Sequence, residues 1–248
     1  MTSLSTLTKK GTALFLAYDQ GLEHGPSEFN DANVDPRFII HIAKEGKYTA
    51  MIFQKGIAEK YQKEIRLSKI PLIIKLNGKT NLVKGEPISR QLCSVNEALK
   101  LGAKAVGYTI YLGSQHESRM FNEFEQIEEE AHAKKIPVIA WIYPRGKAVE
   151  HKPLGELMTY AARTGLELGA DIVKLQYNGS LKDLKWAVKS AGRTALVLSG
   201  GPKTDETSFL SVVKDAKAAG CLGVAVGRNI WKSSDPISLS KKVWNNLQ

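Results

Sequence analysis

The sequence predicts an α/β chain folded as a single (β/α)8 TIM barrel, and three observations carry that prediction. Eight short, apolar, β-branched segments alternate with helical ones over 248 residues. The apolar runs are continuous rather than alternating, which suits parallel strands covered on both faces. A similar helix-to-strand turn recurs before the fourth, sixth and eighth strands, as Leu101-Gly102-Ala103, Leu168-Gly169-Ala170 and Ala219-Gly220-Cys221. A doubly wound open sheet is the competing architecture and would usually need fewer strands.

The strands are expected at Thr12 to Tyr18, Thr49 to Phe53, Pro71 to Leu76, Ala103 to Ile110, Ile136 to Tyr143, Ala170 to Tyr177, Ala195 to Ser199 and Cys221 to Val226. Helices are expected between them. Asp35 to Lys47 carries apolar Phe38, Ile39, Ile42 and Ala43, and Ala58 to Gln62 is a short piece. Ser94 and Glu97 have capping-box spacing for a helix that stops at Gly102. Glu117 to Lys135 is long and charged, with Phe121, Phe124 and Ile127 in one stripe. Leu154 to Leu168, Leu181 to Ala191, Ser208 to Ala219 and Ile237 to Leu247 complete the set. No Pro/Gly/Ser-rich hinge splits the chain, so residues 1–248 read as one domain, with 1–10 as a flexible tail.

Lys and Arg number 35 against 25 Asp and Glu, a net charge of +10. The lysines are dispersed, without a basic block or aromatic interleaving, which disfavours nucleic acid and favours an enzyme handling anionic substrates. No apolar run is long enough to cross a bilayer, and the start of the chain lacks a secretory pattern. Two cysteines, Cys93 and Cys221, make no disulfide framework, so a reducing cytoplasmic setting is expected.

Chemistry in such a barrel sits at the carboxyl ends of the strands. The sixth strand, Ala170-Asp171-Ile172-Val173-Lys174-Leu175-Gln176-Tyr177, sets a lysine into an apolar run. Burial favours a neutral amine, which attacks carbonyls, so Lys174 is a candidate Schiff-base nucleophile. The bland alternative is a strand-end lysine with its head in water. Ser199, Gly200 and Gly201 end strand seven, and Gly227 and Arg228 end strand eight. Glycines there let backbone N–H groups approach a phosphate, or simply make tight turns. Asp19 is an acid/base group or a turn residue. Tyr143 is a proton shuttle or core filling. Trp141 packs, or forms a wall facing the substrate. Arg145 makes a surface pair or holds a second phosphate. His24 reads as a hydrogen-bonding loop residue, because no cluster has metal-ligand spacing. A lysine, proton-transfer groups and a phosphate cup together suit Schiff-base aldol chemistry on a sugar phosphate, with no metal.

Six ordered segments, Ala17 to Pro26, Lys75 to Thr80, Val106 to Tyr111, Trp141 to Gly146, Ser199 to Lys203 and Gly227 to Asn229, resemble the archaeal-type class I fructose-1,6-bisphosphate aldolases. The similarity covers nearly the whole chain. It implies a (β/α)8 barrel that cleaves fructose 1,6-bisphosphate reversibly to glycerone phosphate and glyceraldehyde 3-phosphate. Lys174 would form the Schiff base and Tyr143 would donate and accept the proton. Asp19 and Trp141 would orient the substrate. Ser199, Gly200, Gly201, Gly227 and Arg228 would hold one phosphate, with His24 and Arg145 near the other end. The resemblance also implies no metal and a homo-oligomer, often a decamer. Two positions depart from the family's usual pattern: Gln20 stands for a histidine, and Gln176 for a second lysine that would lower the pKa of Lys174. Competing readings are a related Schiff-base or transaldolase-like enzyme for another phosphorylated keto sugar, a non-catalytic phosphosugar-binding protein, and a metal-dependent lyase.

Overall fold

In the computed structural model, which describes residues 2–248, eight parallel strands close into a barrel. They are β1 (Ala13–Ala17), β2 (Ala50–Gln54), β3 (Leu72–Lys75), β4 (Ala103–Leu112), β5 (Val138–Pro144), β6 (Ile172–Leu175), β7 (Ala195–Ser199) and β8 (Gly223–Val226). Strand β1 pairs with both β2 and β8, and that closure excludes the open sheet.

The continuous apolar runs have a direct cause. Residues of β1, β6 and β8 are buried on both faces. Phe15, Ile52, Ile73, Ile139, Ile172 and Val197 fill the barrel's interior. Leu14, Met51, Ile74, Val173 and Leu198 face outward into the layer beneath the helices.

The helices are α1 (Pro36–Glu45), α2 (Gln62–Ser68), α3 (Val95–Lys100), α4 (Glu117–Ala133), α5 (Leu154–Glu167), α6 (Leu181–Ser190), α7 (Glu206–Ala219) and α8 (Pro236–Leu247). Five of these eight helices start with a side-chain cap. Asp35 accepts from Arg37 N at 2.9 Å, Ser180 from Asp183 N at 3.2 Å and Asp205 from Ser208 N at 2.9 Å. Asp205 explains why α7 begins earlier than its apolar stripe suggests. Only half of the expected capping box forms: Ser94 Oγ accepts from Glu97 N at 3.1 Å, while the Glu97 carboxylate pairs with Lys55. The recurring turns before β4, β6 and β8 hold Gly102, Gly169 and Gly220 at φ of +95°, +77° and +85°.

Three features differ from the sequence expectation. A short helix, Lys55–Lys60, precedes α2, so the piece expected at Ala58 to Gln62 is two helices meeting at Tyr61. Asn77–Gly78 pairs antiparallel with Arg90–Gln91, a small hairpin beside the barrel mouth. Residues 2–10, within the stretch expected to form a flexible tail, instead pack at the barrel's amino-terminal end. Ser5–Leu7 is a helical turn, Leu7 is fully buried in the interior cluster, and Thr2 donates to Asp171. Met1 lies outside the described residues. No helix among these residues is long and apolar enough to cross a membrane.

Candidate active site

Side chains alternate along β6, so Ile172 and Lys174 point into the barrel while Val173 and Leu175 pack outward. Lys174 is only 6% exposed. Burial pushes its pKa down to about 8; the Asp19 carboxylate opposes that and the Lys75 ammonium adds to it. The bland strand-end reading therefore fails, because the head of this lysine does not reach bulk water.

Parallel register sets Trp141 of β5 beside Lys174, with Nζ 5.4 Å from the ring centre. The indole leans over Gly107 of β4, where a Cβ would lie 1.5 Å from Trp141 Cζ3. Only glycine leaves that space. Trp141 Nε1 is buried with no hydrogen-bond partner in the protein.

Two residues further along β5, Tyr143 lines the same cavity. Its hydroxyl is held well above the usual tyrosine pKa by burial, with the Asp19 carboxylate adding to the effect. At neutral pH it remains a proton donor. Its ring packs against the Arg145 guanidinium at 5.4 Å.

Asp19 leaves β1 into the cavity and meets a residue to which the sequence assigned no role. Lys75, the last residue of β3, places Nζ 3.3 Å from Asp19 Oδ2, and both side chains are buried. Burial alone would raise the Asp19 pKa. The Lys75 and Lys174 ammoniums outweigh it and hold the carboxyl below its ordinary value. A signal for Lys75 was present: Ile73-Ile74-Lys75-Leu76 repeats the pattern of Ile172-Val173-Lys174-Leu175. From across the barrel, Lys75 supplies the neighbouring cation that the family resemblance sought at the position of Gln176.

The other expected residues converge as well. Ser199, Gly200 and Gly201 after β7, Gly227 and Arg228 after β8, and His24 and Arg145 all line this cavity, as do Gln20 and Gln176. Asn229 joins the two glycine turns: its Nδ2 donates to Gly200 O at 2.7 Å and Pro202 O at 2.9 Å, and its Oδ1 accepts from Thr204 N at 2.9 Å. Gly201 takes φ +67°. A Cβ at Gly227 would lie 2.6 Å from Ala17 O, so this turn needs glycine for packing. Burial lowers the His24 pKa, which favours a neutral ring. Glu23, also unassigned by the sequence, accepts from Arg145 Nη1 at 2.9 Å.

The arrangement combines a readily deprotonated amine, a protonated phenol, a buried carboxylate and two glycine turns beside an arginine. Such a set can form an imine with a ketone, move a proton at the adjacent carbon and hold a phosphate.

Comparison with known proteins agrees with this geometry. The DeoC/LacD family aldolase model matches residues 13–233. A fructose-bisphosphate aldolase class 1 from Thermoproteus tenax is 46% identical over 241 residues, 96% of this chain and 90% of that protein. A Schiff-base-forming fructose-1,6-bisphosphate aldolase, solved in studies of its reaction intermediates, superposes with a TM-score of 0.94 at 44% identity, covering 99% of this chain and 98% of that one. An archaeal fructose-1,6-bisphosphate aldolase whose catalytic lysine is bound to the carbinolamine intermediate superposes with a TM-score of 0.92 at 44% identity, covering 98% and 97%. The chain belongs to the DeoC/LacD aldolase family, among the relatives of the archaeal class I fructose-bisphosphate aldolases.

Proposed function

We propose that this protein is a class I aldolase that reversibly cleaves fructose 1,6-bisphosphate to glycerone phosphate and glyceraldehyde 3-phosphate through an imine on Lys174. The observation that carries the reading is a buried lysine, its pKa near 8, inside a cavity whose rim is two glycine turns and an arginine.

The neutral amine of Lys174 attacks C2 of the ketose, and loss of water gives the protonated imine. The C4 hydroxyl proton passes to water, the C3–C4 electron pair moves into the imine as the bond breaks, and water later returns that proton to the tyrosinate left at Tyr143. Glyceraldehyde 3-phosphate leaves and an enamine remains. Tyr143 delivers a proton to C3, and water then releases glycerone phosphate from the lysine. Tyr143 takes that proton back in the reverse direction. Asp19 and Trp141, which line the cavity, orient the substrate. Ser199, Gly200, Gly201, Gly227 and Arg228 bind one phosphate, and His24 and Arg145 the other.

Borohydride reduction in the presence of glycerone phosphate is expected to add a stable mass to the peptide containing Lys174. An active preparation that acquires no adduct would overturn the imine.

Lys75 acts through its neighbours, and its test is the pH profile. In Lys75→Met the like charge near Lys174 is gone, so the Lys174 pKa rises. The neutral amine is the reactive form. The rising limb of kcat/KM, expected near pH 8 in the parent, therefore moves to higher pH. Activity lost at pH 7 should be partly restored at pH 9. Breaking the buried pair with Asp19 also costs about 3–5 kcal/mol of stability. A melt shifted with an unmoved pH limb would reduce Lys75 to a structural residue.

A cytoplasmic location and a role in sugar-phosphate breakdown and synthesis are part of this reading, supported by the proposed reaction and by the free cysteines Cys93 and Cys221. A homo-oligomer, with a decamer as the form the family resemblance implies, is supported by Leu154, Tyr160 and Trp186, which lie exposed on neighbouring helices α5 and α6. Sedimentation of the purified chain is expected to give a multiple of the 27.3 kDa subunit.

A further inference from the structure

The segment between β1 and α1 carries two carboxylates on consecutive turns, Gly21–His24 and Pro26–Glu28, joined at Gly25 with φ +71°. Each carboxylate holds one of the two arginines that line the cavity. Glu23 accepts from Arg145 Nη1 at 2.9 Å, and Glu28 accepts from Arg228 Nη1 at 3.0 Å. Each also has a second partner outside the cavity lining. The Tyr111 hydroxyl donates to Glu23 at 3.2 Å, and Lys232 Nζ donates to Glu28 at 2.9 Å.

The second partners matter. Phosphate and carboxylate use the same guanidinium N–H donors. A phosphate that draws an arginine away would strand a carboxylate with a single partner, at a cost in free energy. A carboxylate with two partners keeps one. The Lys232 hydrogen bond is the leading cause of the lowered Glu28 pKa, ahead of the Arg228 contribution, so Glu28 stays well satisfied after the exchange. Arg228 also donates Nη2 to Gly201 O at 3.3 Å, so it can leave Glu28 and remain at the glycine turn.

We infer that Glu28 is a specificity-determining counter-ion that withholds Arg228 from weak anions and yields it to a phosphate dianion, with Lys232 retaining the carboxylate. Glu23, Arg145 and Tyr111 repeat the arrangement at the other end, so the segment carrying both carboxylates selects a ketose phosphorylated at both ends. This rests on the aldolase reading above and extends it to the choice of substrate.

The test uses the full chain, with inorganic phosphate as the probe, by calorimetry and by competition against cleavage of fructose 1,6-bisphosphate. Because the ion pair is part-exposed, Glu28→Gln should tighten phosphate by about three- to fivefold. Lys232→Met, which leaves Glu28 leaning on Arg228 alone, should weaken it by a similar factor. Glu28→Asp, with its shorter reach, should fall between the parent and Glu28→Gln. In the double variant the Lys232→Met effect should vanish, since it acts only through Glu28. Weaker or unchanged phosphate binding in Glu28→Gln, or shifts of the same sign in both single variants, overturns the inference while the aldolase reading stands. A parent protein that binds neither inorganic phosphate nor the bisphosphate overturns both.

Discussion

Lys174→Met is expected to lower turnover by on the order of 10⁴-fold or more, and to abolish the borohydride adduct. Methionine keeps most of the apolar stem and removes only the amine. The fold should tolerate it. Lys174 is 6% exposed, so its cation is disfavoured by burial, and an apolar side chain of similar length relieves that cost. Asp19 keeps Lys75 at 3.3 Å, so no carboxylate is left unpaired. Thermal unfolding should therefore match or exceed that of the parent, while chemistry is lost. That combination separates loss of a nucleophile from loss of structure. Turnover retained within tenfold would mean that the covalent step lies elsewhere.

Tyr143→Phe is expected to cut turnover by about 10²–10⁴-fold, the range for a positioned proton donor. The ring stays, and with it the packing against Arg145 at 5.4 Å, so phosphate binding should change little. The imine depends on Lys174, so the adduct should still form. The step lost is protonation of the enamine carbon. Exchange of the C3 proton of glycerone phosphate with solvent is therefore expected to fall as steeply as turnover. Normal exchange with Tyr143→Phe would assign the proton to another group.

Much of this architecture was legible in the chain because it is written in short-range patterns. Strands buried on both faces need unbroken apolar runs, and the eight runs were visible. The glycines before β4, β6 and β8 adopt left-handed turns that other residues rarely take. The meeting of the candidate residues in one cavity was legible for a related reason. In a parallel barrel every strand delivers its carboxyl end to one face, so polar residues just past each apolar run must meet. Asp19, Tyr143, Lys174 and the glycine turns followed from that rule together with the family resemblance. The hairpin at Asn77–Gly78 was not legible, since two-residue strands have no period. Nor was the packed amino-terminal segment, where the buried Leu7 and the partly buried Leu4 supply the apolar contact.

From its own order of residues the chain determined the eightfold alternation and put a lysine into the sixth strand, because periodicity and turn chemistry are local. The tertiary structure alone decided which charges face one another. Lys75 meets Asp19 from another strand, Gly107 makes room for the Trp141 ring, and Glu28 reaches Arg228 across 200 residues of sequence. Such pairings depend on how a closed barrel brings distant strand ends within hydrogen-bond reach, and nothing in the neighbouring residues records them.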